Sequence, residues 1–331
     1  MNLISAMTYY NIKHITRYRY ASSVIDCANQ LMLYPIQDAL QVLKKHELHI
    51  SHKPDVEEFV DYFGNRIGTF SVIEPITELM IESDIEIEIH PVVLPETSFS
   101  IEEQWEKLGE SREQFPYMDF MMLENFAHEN EVTAIIKNLV DFSLSPFDTA
   151  QLLSKYVYDN FEYRKGVTTV ETGAGEIWKL KAGVCQDFAH ILLVMLRMVG
   201  IPARYVSGYI CPKDSELRGE GATHAWVEVC LPFYGWIGID PTNNCIANDR
   251  HVRLAIGRNF SDCTPVKGTY KGSSEHTLEV SVSIENGQLK KEAEEKKMTP
   301  VFTYKTKNPA PQTNSYRRYL EIQQQQQQQQ Q

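Results

Sequence analysis

Two segments of alternating polar and apolar residues, 223–231 and 236–240, constrain the fold of this chain most strongly. Apolar side chains occupy the odd positions from 225 to 231 of the first segment, and Ile237 and Ile239 continue the odd pattern in the second. The connection between them, residues 232–235, is short enough for a tight turn. The sequence therefore predicts an antiparallel β-hairpin whose odd-numbered residues share one buried face.

The register of this hairpin decides which polar residues meet on its other face, where both His224 and Asp240 lie. A shift of one residue would turn one strand over, so only registers that keep the odd residues together are expected. One such register sets Asp240 directly opposite His224. The next makes the two residues diagonal neighbours, with Cα atoms about 7–8 Å apart. In either register the carboxylate can reach one imidazole nitrogen and leave the other for a second partner.

A cysteine precedes the strongest helical pattern of the chain. After Cys185, apolar residues recur at helical spacing, and Gly200 and Pro202 end the pattern. Cys185 is therefore expected in the first turn of a helix, behind a hinge at Gly183. The positive end of the helix favours a thiolate, and its unpaired N–H groups could bind an oxyanion. Taken alone, Cys185 would also fit a buried and inert core thiol. Together with His224 and Asp240 it is typical of an activated thiol nucleophile.

Longer stretches around these residues resemble the bacterial transglutaminase-like proteins, which are often described as cysteine proteases. The core blocks are residues 183–190 (GVCQDFAH), 200–209 (GIPARYVSGY), 223–229 (THAWVEV) and 239–242 (IDPT). Residues 12–20 and 61–65 resemble the amino-terminal domain that accompanies this core in bacteria, and residues 257–262 and 265–270 match further blocks. The resemblance implies a papain-like core in which Cys185 is the nucleophile, His224 the base and Asp240 the orienting carboxylate.

The order of the predicted elements indicates an α+β fold with four regions. Residues 8–92 are expected to form a mainly antiparallel β domain, with the clearest alternation at 81–90. Residues 93–130 are interpreted as an acidic linker with a short, solvated helix. Residues 131–285 should form the catalytic core of helices on an antiparallel sheet, together with C-terminal strands. Residues 286–331, which end in polyglutamine at 323–331, are expected to be disordered.

The composition of the chain argues against some classes of binding partner. The chain has 331 residues and a net charge of −12, which argues against nucleic acids and anionic membrane surfaces as partners. No segment is apolar and long enough to span a membrane, and residues 1–10 lack the features of a signal peptide. Six irregularly spaced cysteines favour free thiols in a reducing compartment, so a cytoplasmic location is expected. The sequence does not indicate an oligomeric state.

The sequence predicts neither a metal nor a cofactor. It contains no Cys-x-x-Cys pair or close Cys/His cluster typical of structural zinc, and no loop with the ligand pattern of a calcium site.

Three classes of function fit this constellation. The preferred one is a cysteine protease or amidase, in which water resolves an acyl-enzyme on Cys185 formed from a peptide or protein amide. The second is a protein-glutamine γ-glutamyltransferase, in which an amine resolves the same intermediate. The third, a non-catalytic binding module, is disfavoured because Cys185, His224 and Asp240 are all present. Hydrolysis is preferred because no amine-binding element is recognisable.

Overall fold

A computed structural model describes residues 7–94, 98–123, 126–212, 217–219 and 222–287, together with the strand at 302–305. Its helices and antiparallel sheets confirm the predicted α+β class. The helices are α1 (Ile101–Ser111), α2 (Glu129–Leu139), α3 (Pro146–Asn160), α4 (Ala174–Leu180) and α5 (Cys185–Val199). Short 3-10 helices span Tyr117–Met121 and Phe260–Asp262. No helix in these ranges combines the length and the apolar character needed to cross a membrane.

The strands fall into three groups along the chain. The first group is β1 (Thr8–Leu31), β2 (Gln41–Ile50), β3 (Glu57–Val60), β4 (Arg66–Val72) and β5 (Ile76–Ile89). The second is β6 (Glu162–Tyr163), β7 (Ala182–Gly183), β8 (Ala203–Ile210), β9 (Ala222–Leu231), β10 (Gly235–Asp240), β11 (Cys245–Ile246) and β12 (His251–Gly257). The third is β13 (Val266–Lys271), β14 (His276–Asn286) and β15 (Phe302–Lys305).

The long strand β1 organises the N-terminal sheet. Its first half pairs with β5 on one side and β14 on the other, and its second half pairs with β4 and β13. The alternation predicted at 81–90 is present in β5, where Ile81, Ile85 and Ile87 are buried. These side chains form a core with the apolar face of β1.

The C-terminal strands join the N-terminal sheet. The sequence division grouped β13 and β14 with the core of residues 131–285, but their hydrogen-bonding partner is β1. Strand β1 offers pairing edges on both sides, which local sequence patterns do not reveal.

Within residues 286–331, where the sequence analysis expects disorder, the structure describes strand β15, which pairs with β14. The polyglutamine segment 323–331 lies outside the described residues.

A second, five-stranded antiparallel sheet carries His224 and Asp240, in the order β11-β10-β9-β8-β12. Helix α5 packs on the face formed by the odd residues of β9, and Leu192 and Val227 are completely buried between them. At the start of helix α3, the Ser145 hydroxyl accepts a hydrogen bond from the Asp148 backbone N–H at 3.1 Å. Helix and sheet together form one apolar core.

The segment predicted as a linker contributes to this core. Helix α1 is present and begins with a capping box between Ser100 and Glu103. Its inner face is buried, however, because Leu108 packs into the core and the Trp105 indole N–H donates to the Leu144 carbonyl at 2.8 Å. The acidic composition of this segment describes only the outer face of α1.

Two side-chain amides join the N-terminal sheet to the edge strand β12. Asn65 accepts from the Ile256 N–H at 2.8 Å and donates to the Ile256 carbonyl at 2.7 Å. Gln41 makes the same pair of bonds with the backbone of Arg253, each at 2.8 Å. These amides occupy backbone groups that an exposed edge strand would otherwise present to another chain.

Candidate active site

Cys185 is the first residue of α5, which confirms its predicted position in the first turn of a helix. The carboxylate of Asp187 folds back to accept hydrogen bonds from the Val184 N–H and the Thr168 hydroxyl, both at 2.7 Å. Burial raises the pKa of Asp187, and these hydrogen bonds oppose that rise. Asp187 therefore fixes the turn that aims the thiol.

A short parallel strand pair supports the same turn from outside the helix. In the β6–β7 pair, Tyr163 lies beside Gly183, and the Arg164 N–H donates to the Gly183 carbonyl at 2.8 Å. Tyr163 is close enough to Cys185 for the thiol's charge to contribute to the raised pKa of its phenol, after the larger effect of burial.

The β9–β10 hairpin has the diagonal register of the two considered. Trp236 pairs with Cys230 and Ile239 with Val227, so Asp240 is the diagonal neighbour of His224. The Oδ2 atom of Asp240 lies 2.8 Å from Nε2 of His224, and both side chains are buried. The polar face predicted from alternation thus brings the carboxylate into contact with the imidazole.

The Asp240 carboxylate is held from several directions. Its Oδ1 accepts from the backbone N–H groups of Thr242 at 2.9 Å and Asn243 at 3.3 Å. Its Oδ2 accepts from the Asn243 amide at 2.7 Å and contacts Nε2 of His251 at 3.3 Å. Burial alone would raise the pKa of Asp240, but the charge and hydrogen bond of His224, with the bond from His251, hold it far below its usual range.

The second imidazole nitrogen of His224 is left for another partner. Nδ1 is buried and has no hydrogen-bond partner among the residues described. Burial lowers the pKa of His224, but the negative charges of Asp240 and Cys185 outweigh it, so the net shift is upward. The structure thus brings Asp240 into contact with His224 and sets Cys185 near enough for its charge to act on the same ring.

A segment of chain passes directly over this nitrogen. A β-carbon built on Gly219, whose φ is +81°, would lie 3.0 Å from Nδ1 of His224. The segment is tied to the Asp240 turn because the Asn243 side chain accepts from the Arg218 N–H at 2.8 Å and donates to the Arg218 carbonyl at 3.3 Å. Gly219 therefore allows the backbone to lie close to the imidazole in a left-handed conformation, where a β-carbon would be in tight contact with the ring.

Within the described part of the chain, His224, Asp240 and His251 form the group that could hold a metal, since their ligand atoms lie within 4.8 Å of one another. The donor set does not fit an ion, however. The Asn243 amide directs an N–H at Oδ2 of Asp240, the oxygen that a metal would need, and both imidazoles already contact that oxygen. Hydrogen bonding accounts for this arrangement.

Sequence reasoning missed three residues that shape the site. Asp187 stands in the GVCQDFAH block, and its position as the third helical residue is a capping signal that could have been used. Asn243 follows Asp240 in a turn, where an asparagine commonly bonds to nearby backbone. His251 begins β12, which reaches the site only through the pairing of distant strands, so no local pattern marks it.

Comparisons with known proteins agree with this architecture. Residues 133–241 match the transglutaminase-like superfamily, and residues 10–88 match the bacterial transglutaminase-like N-terminal region. An uncharacterized protein of Mycobacterium bovis is 31% identical over 292 residues, which cover 83% of this chain and 92% of the relative. A protein-glutamine gamma-glutamyltransferase of Pseudomonas aeruginosa is 34% identical over 103 residues, which cover 28% of this chain and 15% of that protein.

Among solved structures, a candidate cysteine protease from Cytophaga hutchinsonii superposes with a TM-score of 0.69 at 18% identity. The superposition covers 90% of this chain and 94% of that protein, so both share the arrangement of N-terminal sheet and core. With the superfamily match spanning Cys185, His224 and Asp240, the chain belongs to the transglutaminase-like superfamily and carries the bacterial N-terminal region before its core.

Proposed function

We propose that the protein is a thiol enzyme that cleaves amide or peptide bonds through an acyl-enzyme on Cys185. The Cys185 thiolate adds to the amide carbonyl, and the protonated His224 then gives its proton to the leaving amine. The resulting thioester is attacked by water, with His224 accepting the proton of that water. Asp240 stays ionised and orients the imidazole in both steps.

One observation carries this proposal: Asp240 holds Nε2 of His224 at 2.8 Å while Nδ1 remains buried without a hydrogen-bond partner in the described part of the chain. A histidine with a purely structural role would be expected to use both nitrogens. An imidazole held by a carboxylate on one nitrogen, with the other nitrogen left without a hydrogen bond, is the arrangement that a general base requires.

The position of Cys185 supports the same roles. As the first residue of α5 it lies where backbone N–H groups have no partner within the helix. These groups and the positive end of the helix would stabilise a thiolate before attack and the carbonyl oxyanion afterwards.

Hydrolysis is favoured over amine transfer. A transferase must bind its amine or exclude water, because water reaches an open thioester at about 55 M. Glu228 is another carboxylate on the His224 face of β9. Its Oε2 lies 2.6 Å from Nη2 of Arg204, and its Oε1 lies 3.6 Å from Nη1 of Arg253. It is therefore engaged in a buried ion pair and is not free to hold an ammonium group.

Amine transfer remains the second candidate, because a relative named protein-glutamine gamma-glutamyltransferase matches part of the core. The test supplies a glutamine-containing peptide together with a biotinylated primary amine at low millimolar concentration. We expect ammonia release with little incorporation of biotin, and neither reaction with Cys185→Ala. Saturable incorporation that exceeds hydrolysis would instead favour the transferase.

A further inference from the structure

His251 lies against the carboxylate of the candidate site although it comes from a different strand. It is the first residue of β12, and its Nε2 lies 3.3 Å from Oδ2 of Asp240. The ring is almost completely buried and packs edge-on against Trp226, with centroids 5.1 Å apart. Packing against Trp226 fixes the plane of the His251 ring and therefore the direction in which Nε2 points at Asp240.

The hydrogen bonds around the ring select one tautomer. The Asn248 backbone N–H points at Nδ1 of His251 from 3.2 Å, whereas the Asn248 side-chain oxygen lies farther from Nδ1, at 3.4 Å, and accepts from the Arg250 N–H at 3.0 Å. A proton on Nδ1 would face the Asn248 N–H and would leave a lone pair on Nε2 directed at the carboxylate. A proton on Nε2 satisfies the contacts with the Asn248 N–H and with Asp240, and leaves only the longest contact, to the Asn248 oxygen, without a proton. Burial lowers the pKa of His251, so the ring is neutral near pH 7 and holds a single proton.

We propose that His251 is a positioning residue of the active site, whose Nε2–H donates to Oδ2 of Asp240 and holds this carboxylate in the orientation that serves His224. The inference rests on the function proposed above. It makes Asp240 the acceptor of two imidazoles, of which only His224 exchanges protons with the reacting groups.

The charges around the pair bear on its pH dependence. Besides Asp240, the groups that act electrostatically on the two imidazoles or on the carboxylate are Cys185, Tyr163, Cys245 and Arg250. A hydrogen bond to an ionised carboxylate favours its charged form. Removal of the His251 donor is therefore expected to raise the pKa of Asp240, but not into the pH range of the reaction, so the rate should fall without a shift of the acid limb.

Two variants separate positioning from packing. His251→Phe keeps a planar ring but removes the donor, whereas His251→Gln keeps an N–H at nearly the same reach. The matched control is His14→Phe, since His14 is an equally buried histidine that bonds to Tyr209 and Thr16 and does not contact the site. Each rate is expressed per folded molecule, with thermal unfolding measured alongside.

The first readout is the acylation of Cys185 by p-nitrophenyl acetate between pH 5 and 9. We expect His251→Phe to lower the maximal acylation rate on the order of tenfold with little change in the half-saturating concentration. His251→Gln should recover most of this rate, and His14→Phe should leave it unchanged. Equal rates in the wild type and His251→Phe would overturn the proposal, as would equal losses in all three variants.

The second readout needs no turnover. Nitrogen-15 NMR of histidine-labelled wild-type protein, assigned by comparison with His251→Gln, should show His251 neutral with its proton on Nε2 at pH 7. A proton on Nδ1, or a charged ring, would overturn the proposal. If the wild type failed to acylate while this tautomer was observed, the proposed enzymatic function would be wrong and the His251–Asp240 hydrogen bond would stand.

Discussion

The carboxylate of Asp187 occupies the space in which a side chain at position 183 would have to begin. A β-carbon built on Gly183 would lie 2.3 Å from Oδ2 of Asp187, which is far inside the contact distance of two such atoms. The glycine before Cys185 is thus required because the capping carboxylate of α5 folds against its backbone. The hinge inferred from the sequence has a steric cause.

Gly183→Ala should therefore destabilise the helix start and slow the reactions of Cys185. We expect a loss of about 1–3 kcal/mol in the free energy of unfolding, since Asp187 must move from the backbone that it caps. Urea unfolding and the rate of Cys185 alkylation measure the two effects. Gly109→Ala is the matched control, because its β-carbon would meet no neighbour and alanine favours the helix α1. Unchanged stability in Gly183→Ala would contradict the steric argument.

Asp240→Asn should retain the fold and lose most of the activity. The amide keeps the shape of the side chain but can no longer act as a charged acceptor for His224 at Oδ2. We expect a loss on the order of 10²–10⁴-fold in kcat, smaller than the loss in Cys185→Ala. Because the three residues act as a unit, Cys185→Ala combined with Asp240→Asn should be hardly worse than Cys185→Ala alone. Losses that multiply would argue against a shared mechanism.

Asn65→Ala should loosen the contact between the N-terminal sheet and the core. The substitution removes both partners of the Ile256 backbone groups, and the N–H and carbonyl there are buried. We expect a cost of about 1–3 kcal/mol in the free energy of unfolding. Asn138→Ala on the exposed face of α2 should change stability by less than about 0.5 kcal/mol. If both variants unfolded alike, the amide pairing would have no measurable role.

His14 should make the protein less stable in mild acid. Burial lowers its pKa in the folded state to about 4, against 6.5 for an unperturbed histidine. The stability due to neutral His14 is therefore complete above pH 6.5 and is lost as the pH falls from 6.5 towards 4, because the unfolded chain binds the proton first. Between pH 7.5 and 5 this amounts to about 2 kcal/mol.

Urea unfolding of the wild type and His14→Phe at these two pH values measures that contribution. The variant should be less stable at pH 7.5 but should lose about 2 kcal/mol less on acidification. Parallel losses in the two proteins would show that His14 does not titrate as its burial requires.

The sequence predicted the parts of the site that depend on local pattern. Helical spacing put Cys185 at a helix start, and alternation put His224 and Asp240 on one face, because both patterns repeat over neighbouring residues. Alternation could not choose between two registers that bury the same residues. It also gave no sign of His251, because β12 reaches the site only through its pairing with β8.

The dependence on pairing between distant strands also explains where the fold differs from the expected division of the chain. The strands β13 and β14 carry alternation that any sheet would accept, and only their pairing with β1 decides where they belong. The buried side of α1 was missed because its acidic outer face dominates the composition of the segment.

The central claim, that Cys185 is the activated nucleophile, is tested most directly by mapping which cysteine reacts first with limiting iodoacetamide at mildly acidic pH. Burial raises the pKa of the other five thiols, to about 11 for Cys230 and about 12 for Cys245, which leaves them protonated. Peptide mass spectrometry should find Cys185 modified well before the other cysteines. In His224→Ala, Cys185 should no longer react faster than they do. Equal modification of all six cysteines, or earlier modification of another one, would contradict the assignment of Cys185 as the nucleophile.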